Sequence, residues 1–220
     1  MAISRFISLE GGEAAGKSTQ IDLLAERLTA KGQRVLVTRE PGGTPLGEAV
    51  RHLLKHAPEG HGMSDKTELL LFLAARAELV QKVILPALAD GQWVLCDRFL
   101  DSTTVYQGAG RQLPAEVVGR LNAFAVGTCL PGLTLVLEVG PEEAHRRQKA
   151  RVGATGTATE APDRMEAEPG DFFARVREGY RELTRHHPVR VKLVLASGTV
   201  EETANAIWRE VEQTFSAMLK

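Results

Sequence analysis

The chain has few cysteines and aromatic residues, almost no net charge and no long apolar run. Its 220 residues include 2 cysteines, and aromatic residues make up 5% of the composition. Two cysteines exclude a disulfide-stapled scaffold and a cysteine-rich zinc module. A formal net charge of −1 argues against a protein that coats nucleic acid. Apolar runs such as residues 69–75 are far shorter than the roughly 20 residues of a membrane span.

The remaining composition is that of a globular protein, with 43% hydrophobic and 25% charged residues. A chain of this length buries enough surface to fold around its own core. The N-terminus reaches its first acid, Glu10, without the apolar segment of a signal peptide. We therefore expect one domain over residues 1–220, located in the cytoplasm, with no membrane or nucleic-acid partner.

Short apolar runs alternate with longer segments of helical periodicity. The runs cover residues 5–9, 35–38, 93–96, 133–139 and 189–195, and the helical segments cover 17–30, 46–55, 66–89 and 200–218. This alternation predicts an α/β fold with a five-stranded parallel sheet and helices on both faces. Ligands of such sheets bind at the carboxyl ends of the strands. The apolar stripe of the last helix, which begins at Val200, is interpreted as core.

The first strand runs into a phosphate-binding pattern, G-x-x-x-x-G-K-S, at residues 11–18. Its glycines let backbone N–H groups face a phosphate chain at a helix N-terminus. Lys17 would reach the β- and γ-phosphates, and the Ser18 hydroxyl would coordinate Mg²⁺. The predicted ATP-binding residues are Gly11, Gly12, Glu13, Ala14, Ala15, Gly16, Lys17, Ser18 and Thr19.

Other strand ends carry an acid and arginines. Asp97 ends the run 93–96 and is followed by Arg98, and Arg39 and Glu40 follow the second strand. Asp97 could cap the next helix, but beside a phosphate loop we interpret it, with Ser18, as a metal ligand. The chain has no Asn-Lys-x-Asp motif for guanine, which argues against a GTPase switch.

These segments resemble the bacterial thymidylate kinases, which are P-loop nucleoside monophosphate kinases that phosphorylate dTMP with ATP. Besides the P-loop, the resemblance rests on residues 38–44 (Thr-Arg-Glu-Pro-Gly-Gly-Thr), 72–76 (Phe-Leu-Ala-Ala-Arg), 97–99, 102–108 with Arg111, and 163–166 (Asp-Arg-Met-Glu). It implies a five-stranded sheet with a mobile lid, here at about residues 147–166, and a homodimer.

The resemblance also implies how dTMP is bound. Phe72 would stack on the thymine, Arg76 and Gln107 would hydrogen-bond to it, and Ser102 would lie beside it. Tyr106 would crowd the sugar 2′ position and so favour deoxyribose. The residues expected around the monophosphate are Arg39, Arg51 and Arg98, with Glu40 near the sugar and metal.

Catalysis in this scheme neutralises the charge of two anions, so the predicted catalytic residues are Lys17, Asp97, Arg98 and a basic residue of the lid. In the family, members without a P-loop arginine place that basic group in the lid. Arg147, Lys149 and Arg151 are the candidates here, of which we favour Arg151.

Two alternative functions remain open. One is a kinase for another pyrimidine nucleotide or nucleoside, such as dUMP, UMP, CMP or a deoxynucleoside, because thymine and uracil differ by one methyl group, worth only about 1–3 kcal/mol. The other is a nucleotide-dependent switch, which would not need the arginines expected on the acceptor side.

Overall fold

The computed structural model describes residues 3–150 and 164–219, and the backbone alone of residues 151–154. Within this part of the chain, five strands form one sheet in the order β2-β3-β1-β4-β5. All neighbouring strands are parallel, so the predicted sheet is confirmed. The strands are β1 (Phe6–Gly11), β2 (Val35–Arg39), β3 (Trp93–Asp97), β4 (Leu133–Glu138) and β5 (Val191–Leu195).

The helices connect the strands and begin at recognisable caps. Ser64 and Thr199 accept hydrogen bonds from backbone N–H groups in the first turns of α3 and α9. Among the described residues, no helix is both long and apolar enough to cross a membrane. The helices are α1 (Lys17–Ala30), α2 (Pro45–Lys55), α3 (Asp65–Leu79), α4 (Leu85–Ala89), α5 (Leu100–Thr103), α6 (Ala115–Val126), α7 (Pro141–Ala154), α8 (Gly170–His186) and α9 (Val200–Phe215).

The helix predicted over residues 66–89 changes its winding near its end. α3 continues into a π-helical turn, Val80–Ile84, and then into α4. Pro86 is the second residue of α4 and has no N–H to donate to the carbonyl of residue 82. The wider turn therefore accommodates a proline that regular helical bonding would not.

Both faces of the sheet are covered, because successive strand residues point to opposite sides. Ile7 and Leu9 of β1 pack into a buried cluster with α1 and α9. Phe6 of β1 and Val94 of β3 pack into a second cluster with residues around α4. The core thus fixes the strands from both sides and leaves their carboxyl ends free to form a site.

Candidate active site

A cavity of about 900 Å³ lies at the carboxyl ends of the strands, as expected for a parallel sheet. The P-loop from Glu13 to Thr19, the end of β3 and the segment after β2 all contribute to its wall. Of the predicted substrate residues, eight line this cavity: Arg39, Glu40, Arg51, Phe72, Arg98, Ser102, Tyr106 and Gln107.

The P-loop has the backbone that phosphate binding requires. Gly11 and Gly16 have φ angles of 131° and 89°, and Ala14 has a φ of 56°, all in the region that favours glycine. A side chain at Gly11 would also collide with the carbonyl oxygen of Leu137. This curl places the start of α1 at the cavity.

Lys17 curls back over the loop. Its Nζ donates to the carbonyl oxygens of Gly11 at 3.3 Å and Gly12 at 2.9 Å. Burial and the positive charge of Arg98 lower the pKa of Lys17 to about 8. A phosphate chain in the loop would add negative charge beside this ammonium and so stabilise its charged form.

Ser18 and Asp97 meet where β3 ends beside the P-loop. The Ser18 hydroxyl donates to Oδ2 of Asp97 at 3.1 Å, and both residues line the cavity. A hydroxyl and a carboxylate are the hard oxygen ligands that Mg²⁺ prefers, with water and phosphate completing its shell. The donor set therefore fits the predicted metal.

Arg98 of the cavity wall is held by both its backbone conformation and its side-chain contacts. Its φ of 68° is in the left-handed region, which is costly for a side chain of this size. Its Nη2 donates to Oε1 of Glu13 at 2.6 Å and Nη1 to the Ser102 hydroxyl at 3.3 Å. The guanidinium lies 4.9 Å from the centre of the Tyr106 ring. These contacts hold a positive charge between the P-loop and the rest of the cavity.

Glu13 is the acid that balances this charge. Burial raises its pKa, but the positive charges of Arg98, Lys17 and Lys55 outweigh that effect and lower the pKa to about 2. The carboxylate therefore stays ionised and keeps Arg98 in place.

Glu10 of β1 anchors the same segment, a role that was not predicted from the sequence. Its carboxylate accepts from the Phe99 backbone N–H at 2.8 Å, the Ser102 hydroxyl at 2.5 Å and the Tyr180 hydroxyl at 3.0 Å. Burial, then the negative charge of Asp101, raise the pKa of Glu10 to about 7. The Phe99 bond fixes the peptide that follows the left-handed Arg98.

The segment after β2 presents further positive charge. Arg39 donates to both carboxylate oxygens of Glu48 at 3.0 Å, and Arg51 donates to the Pro41 carbonyl oxygen at 3.0 Å. Each of these arginines also lines the cavity. Together with Arg98 they place three arginines on the cavity wall, and their contact with a monophosphate stays a prediction.

Arg76 does not line the cavity. Its side chain is 1% exposed and forms an ion pair with Glu40 at 2.7 Å. It also donates to Asn122 at 2.7 Å and to the Phe99 carbonyl oxygen at 3.2 Å. Burial raises the pKa of Glu40, against the lowering effect of Arg76. The predicted contact of Arg76 with a base stays a prediction.

Phe72, Tyr106 and Gln107 form the part of the wall suited to a base. Phe72 lies on α3, and the other two lie on the π-helical segment Thr104–Gly110 that follows α5. The Tyr106 hydroxyl is buried and has no hydrogen-bond partner among the residues that the structure describes, and such a group is usually paired. Irregular turns of this kind are frequent at functional sites.

The opposite end of the cavity includes residues that the motif search missed. Gly198, Thr199 and Val200 follow β5 and line the wall. The rule that ligands gather after strands would have found them. Lys55 and Glu166 also line the cavity. Val200 was interpreted as core, but its side chain is 55% exposed, so that interpretation is wrong.

The lid candidates are only partly described. Arg147 lines the cavity and donates to Glu143 and to the Ala196 carbonyl oxygen, each at 2.7 Å. Lys149 is exposed on α7. The side chain of Arg151, the favoured candidate, lies outside the described residues, as does the central part of the predicted lid at 147–166.

Comparison with known proteins identifies the family. A family model described as thymidylate kinase matches residues 9–207. The chain belongs to the thymidylate kinase family. The predicted family resemblance and the predicted fold are therefore confirmed.

Curated relatives and a solved structure agree with this family. A thymidylate kinase of Syntrophotalea carbinolica is 47% identical over 206 residues, which cover 94% of each chain. One of Synechococcus sp. (strain JA-2-3B'a(2-13)) is 48% identical over 207 residues, also 94% of each chain. The crystal structure of thymidylate kinase from Ehrlichia chaffeensis has a TM-score of 0.73 at 30% identity, covering 94% of this chain and 97% of that one.

Proposed function

We propose that the cavity binds ATP and dTMP together and aligns them for direct phosphoryl transfer. As a member of the family, the chain is an ATP-dependent kinase that converts dTMP to dTDP. We further propose that one domain over residues 1–220 carries this reaction, with a lid at about 147–166 that closes over the phosphates.

The observation that carries the site assignment is the position of the charges. Lys17 follows β1 and Arg98 follows β3, and these two strands are neighbours in the sheet. The acceptor side has Arg39 and Arg51 beyond them, and the donor side has the residues after β5. A transferred phosphoryl group would therefore lie between Lys17 and Arg98.

Charge stabilisation is the main catalytic task in this arrangement. The acceptor is already a phosphate dianion and needs no strong general base. Two anions must approach each other, and charge on the transferred group must be neutralised. Lys17 and Arg98 meet that need from the loop and from the end of β3, and a lid residue, Arg151 by our preference, would add to it and exclude water.

Ser18 and Asp97 are the residues that would hold Mg²⁺. An ion held there would offset the negative charge of the ATP phosphates. Glu13 and Lys17 shape the same wall, and Asp97 keeps a carboxylate within reach of the loop. No group of three His, Cys, Asp or Glu side chains suited to a metal occurs among the described residues, which matches an ion held mostly by phosphate and water.

We assign the base to Phe72, Ser102 and Gln107, which line the cavity, and the deoxyribose to Tyr106. Arg76, which is buried and does not line the cavity, would reach the base only if its side chain moved. The test is to incubate the chain with Mg·ATP and separately with dTMP, dUMP, UMP, CMP and AMP, and to measure ADP. Of the five monophosphates, only dTMP is expected to give fast turnover. Faster turnover with another pyrimidine nucleotide would overturn the base assignment, and ADP formation without any monophosphate would overturn the acceptor site.

We propose that the chain acts as a homodimer through α3 and α6. Apolar side chains on these neighbouring helices are exposed, with Phe124 at 89%, Leu70 at 56% and Val117 at 49%. A second copy that covers this face would bury them. Sedimentation of the wild type should give twice the monomer mass, and Phe124→Glu should reduce this to the monomer mass. The control Val189→Glu, at an exposed site beside β5, should leave the dimer unchanged. A monomeric wild type would refute the proposal.

We place the enzyme in the cytoplasm. Cys96 and Cys129 are both buried as free thiols, which suits a reducing compartment.

A further inference from the structure

Gln107 is held at the cavity wall by a buried acid of α3. Its Nε2 donates to Oε1 of Glu68 at 2.8 Å, and the Glu68 side chain is 1% exposed. Glu68 and Phe72 lie four residues apart on α3, so both face the same side of the helix. The acid therefore lies next to the residues assigned to the base.

Glu68 is ionised and fixed by two arginines. Arg111 donates to its Oε2 at 2.9 Å, and Arg164 lies 2.6 Å from the same oxygen. Although burial acts in the opposite direction, hydrogen bonds from Arg111 and Gln107 and the nearby positive charges lower the pKa of Glu68. Arg111 is itself anchored by Glu168 at 2.5 Å. The carboxylate can neither gain a proton readily nor move away from Gln107.

The charge of Glu68 decides which end of the Gln107 amide faces the cavity. A carboxylate accepts hydrogen bonds but has no proton to donate, so the amide nitrogen must point toward it. The amide oxygen is then left for the cavity, where it can only accept. Thymine and uracil carry a proton on N3, whereas N3 of cytosine is itself an acceptor.

We propose that Glu68 is a specificity-determining positioning residue, which orients the Gln107 amide so that the site accepts pyrimidines with a protonated N3 and rejects cytosine. This inference rests on the proposed function, since it takes Gln107 to face the base. An acceptor opposite an acceptor leaves two buried polar groups unpaired, which is the situation that lets enzymes discriminate strongly.

The test compares binding of dTMP, dUMP and dCMP to the wild type and to Glu68→Gln by calorimetry without ATP. A glutamine at this position can donate as well as accept, so the Gln107 amide is free to rotate. The preference for dTMP over dCMP is expected to fall by about tenfold or more. The preference for dTMP over dUMP should stay the same, because both bases carry the N3 proton.

Two further variants separate orientation from general damage. Glu168→Gln removes another carboxylate from Arg111 without touching Gln107, and it should leave the ratio of dTMP affinity to dCMP affinity unchanged. The exchange Glu68→Gln with Gln107→Glu restores a group that can only accept at position 107 and keeps the net charge. It should recover the preference for dTMP, and it carries the test if Glu68→Gln alone does not fold.

The outcomes distinguish this inference from the proposed function. A wild type without preference for dTMP over dCMP would overturn the base assignment and this inference with it. A wild-type preference that Glu68→Gln leaves intact would overturn the role of Glu68 alone. Equal losses of the preference for dTMP over dUMP and over dCMP would also overturn it, because a purely structural role predicts that result. The same holds for an exchange variant that folds but does not recover the preference for dTMP over dCMP.

Discussion

Replacing Arg98 by alanine should nearly abolish turnover while the fold persists. The guanidinium contacts Glu13, Ser102, Tyr180 and the ring of Tyr106, so it is fixed before substrates arrive. Removing one such preorganised charge from the site of a transferring phosphoryl group costs roughly 3–4 kcal/mol, or about 10²–10³ in kcat.

The cost to stability should be smaller. The Glu13 side chain is 37% exposed, so water can replace part of the lost contact, but the Arg98 side chain is only 16% exposed, so we expect a loss of about 1–2 kcal/mol. Tm should therefore fall by no more than about 8 °C. Arg98→Lys should recover part of the activity, because it keeps the charge but not the two-pronged geometry.

The assay measures ADP formation with saturating dTMP and Mg·ATP, beside thermal unfolding of each variant. Arg34→Ala is the matched control, because Arg34 also pairs with an acid, Asp90, but both side chains are exposed and neither lines the cavity. Near-normal turnover of Arg98→Ala would refute its assignment to the transferring group. Unfolding of that variant would refute the argument on stability.

Three other changes have defined outcomes. The pKa of Glu10 rises from 4.5 to about 7 on folding, so between these pH values the folded state binds more protons than the unfolded state. The free energy of unfolding therefore falls as pH rises from about 4.5 to about 7, by about 3 kcal/mol at most. Glu10→Gln should flatten this part of the Tm-against-pH profile, and an unchanged slope would contradict the account. The free enzyme should bind ATP more weakly as pH rises through about 8, where Lys17 loses its proton. Calorimetry on Lys17→Arg should show no such pH dependence. If the dependence persists in that variant, a group other than Lys17 causes it. Arg151→Ala should slow turnover more than Arg146→Ala, whose side chain is 78% exposed; equal rates would exclude Arg151 as the lid residue.

Much of the fold could be predicted because its signals are local. The strand runs and the helical spacing predicted the sheet, since the apolar runs of its inner strands need burial on both faces. The boundaries depended on context: β1 extends to Gly11, where the P-loop begins, and β5 starts at Val191, after the exposed Val189. Pro86 lies near the end of the helix predicted over residues 66–89, but the wider turn before it was not predicted.

The site divides in the same way. The P-loop, Asp97 and Arg98 follow strands and could be found from sequence. Glu10 and Glu68 could not, because their roles come from partners far along the chain, such as Tyr180 for Glu10 and Arg164 for Glu68. The sequence pattern that could have indicated them is an acid within an apolar segment. That pattern does not show which residues the acid contacts.

The strand order also divides the site along the chain. β2 and β3 lie on one side of β1, and β4 and β5 on the other. Residues up to about position 110 therefore build the acceptor wall and the P-loop, whereas the residues after β5 contribute to the far end of the cavity. Substitutions at the cavity-lining residues after β5 should thus alter the affinity for ATP separately from that for dTMP, so the two affinities can change independently during evolution.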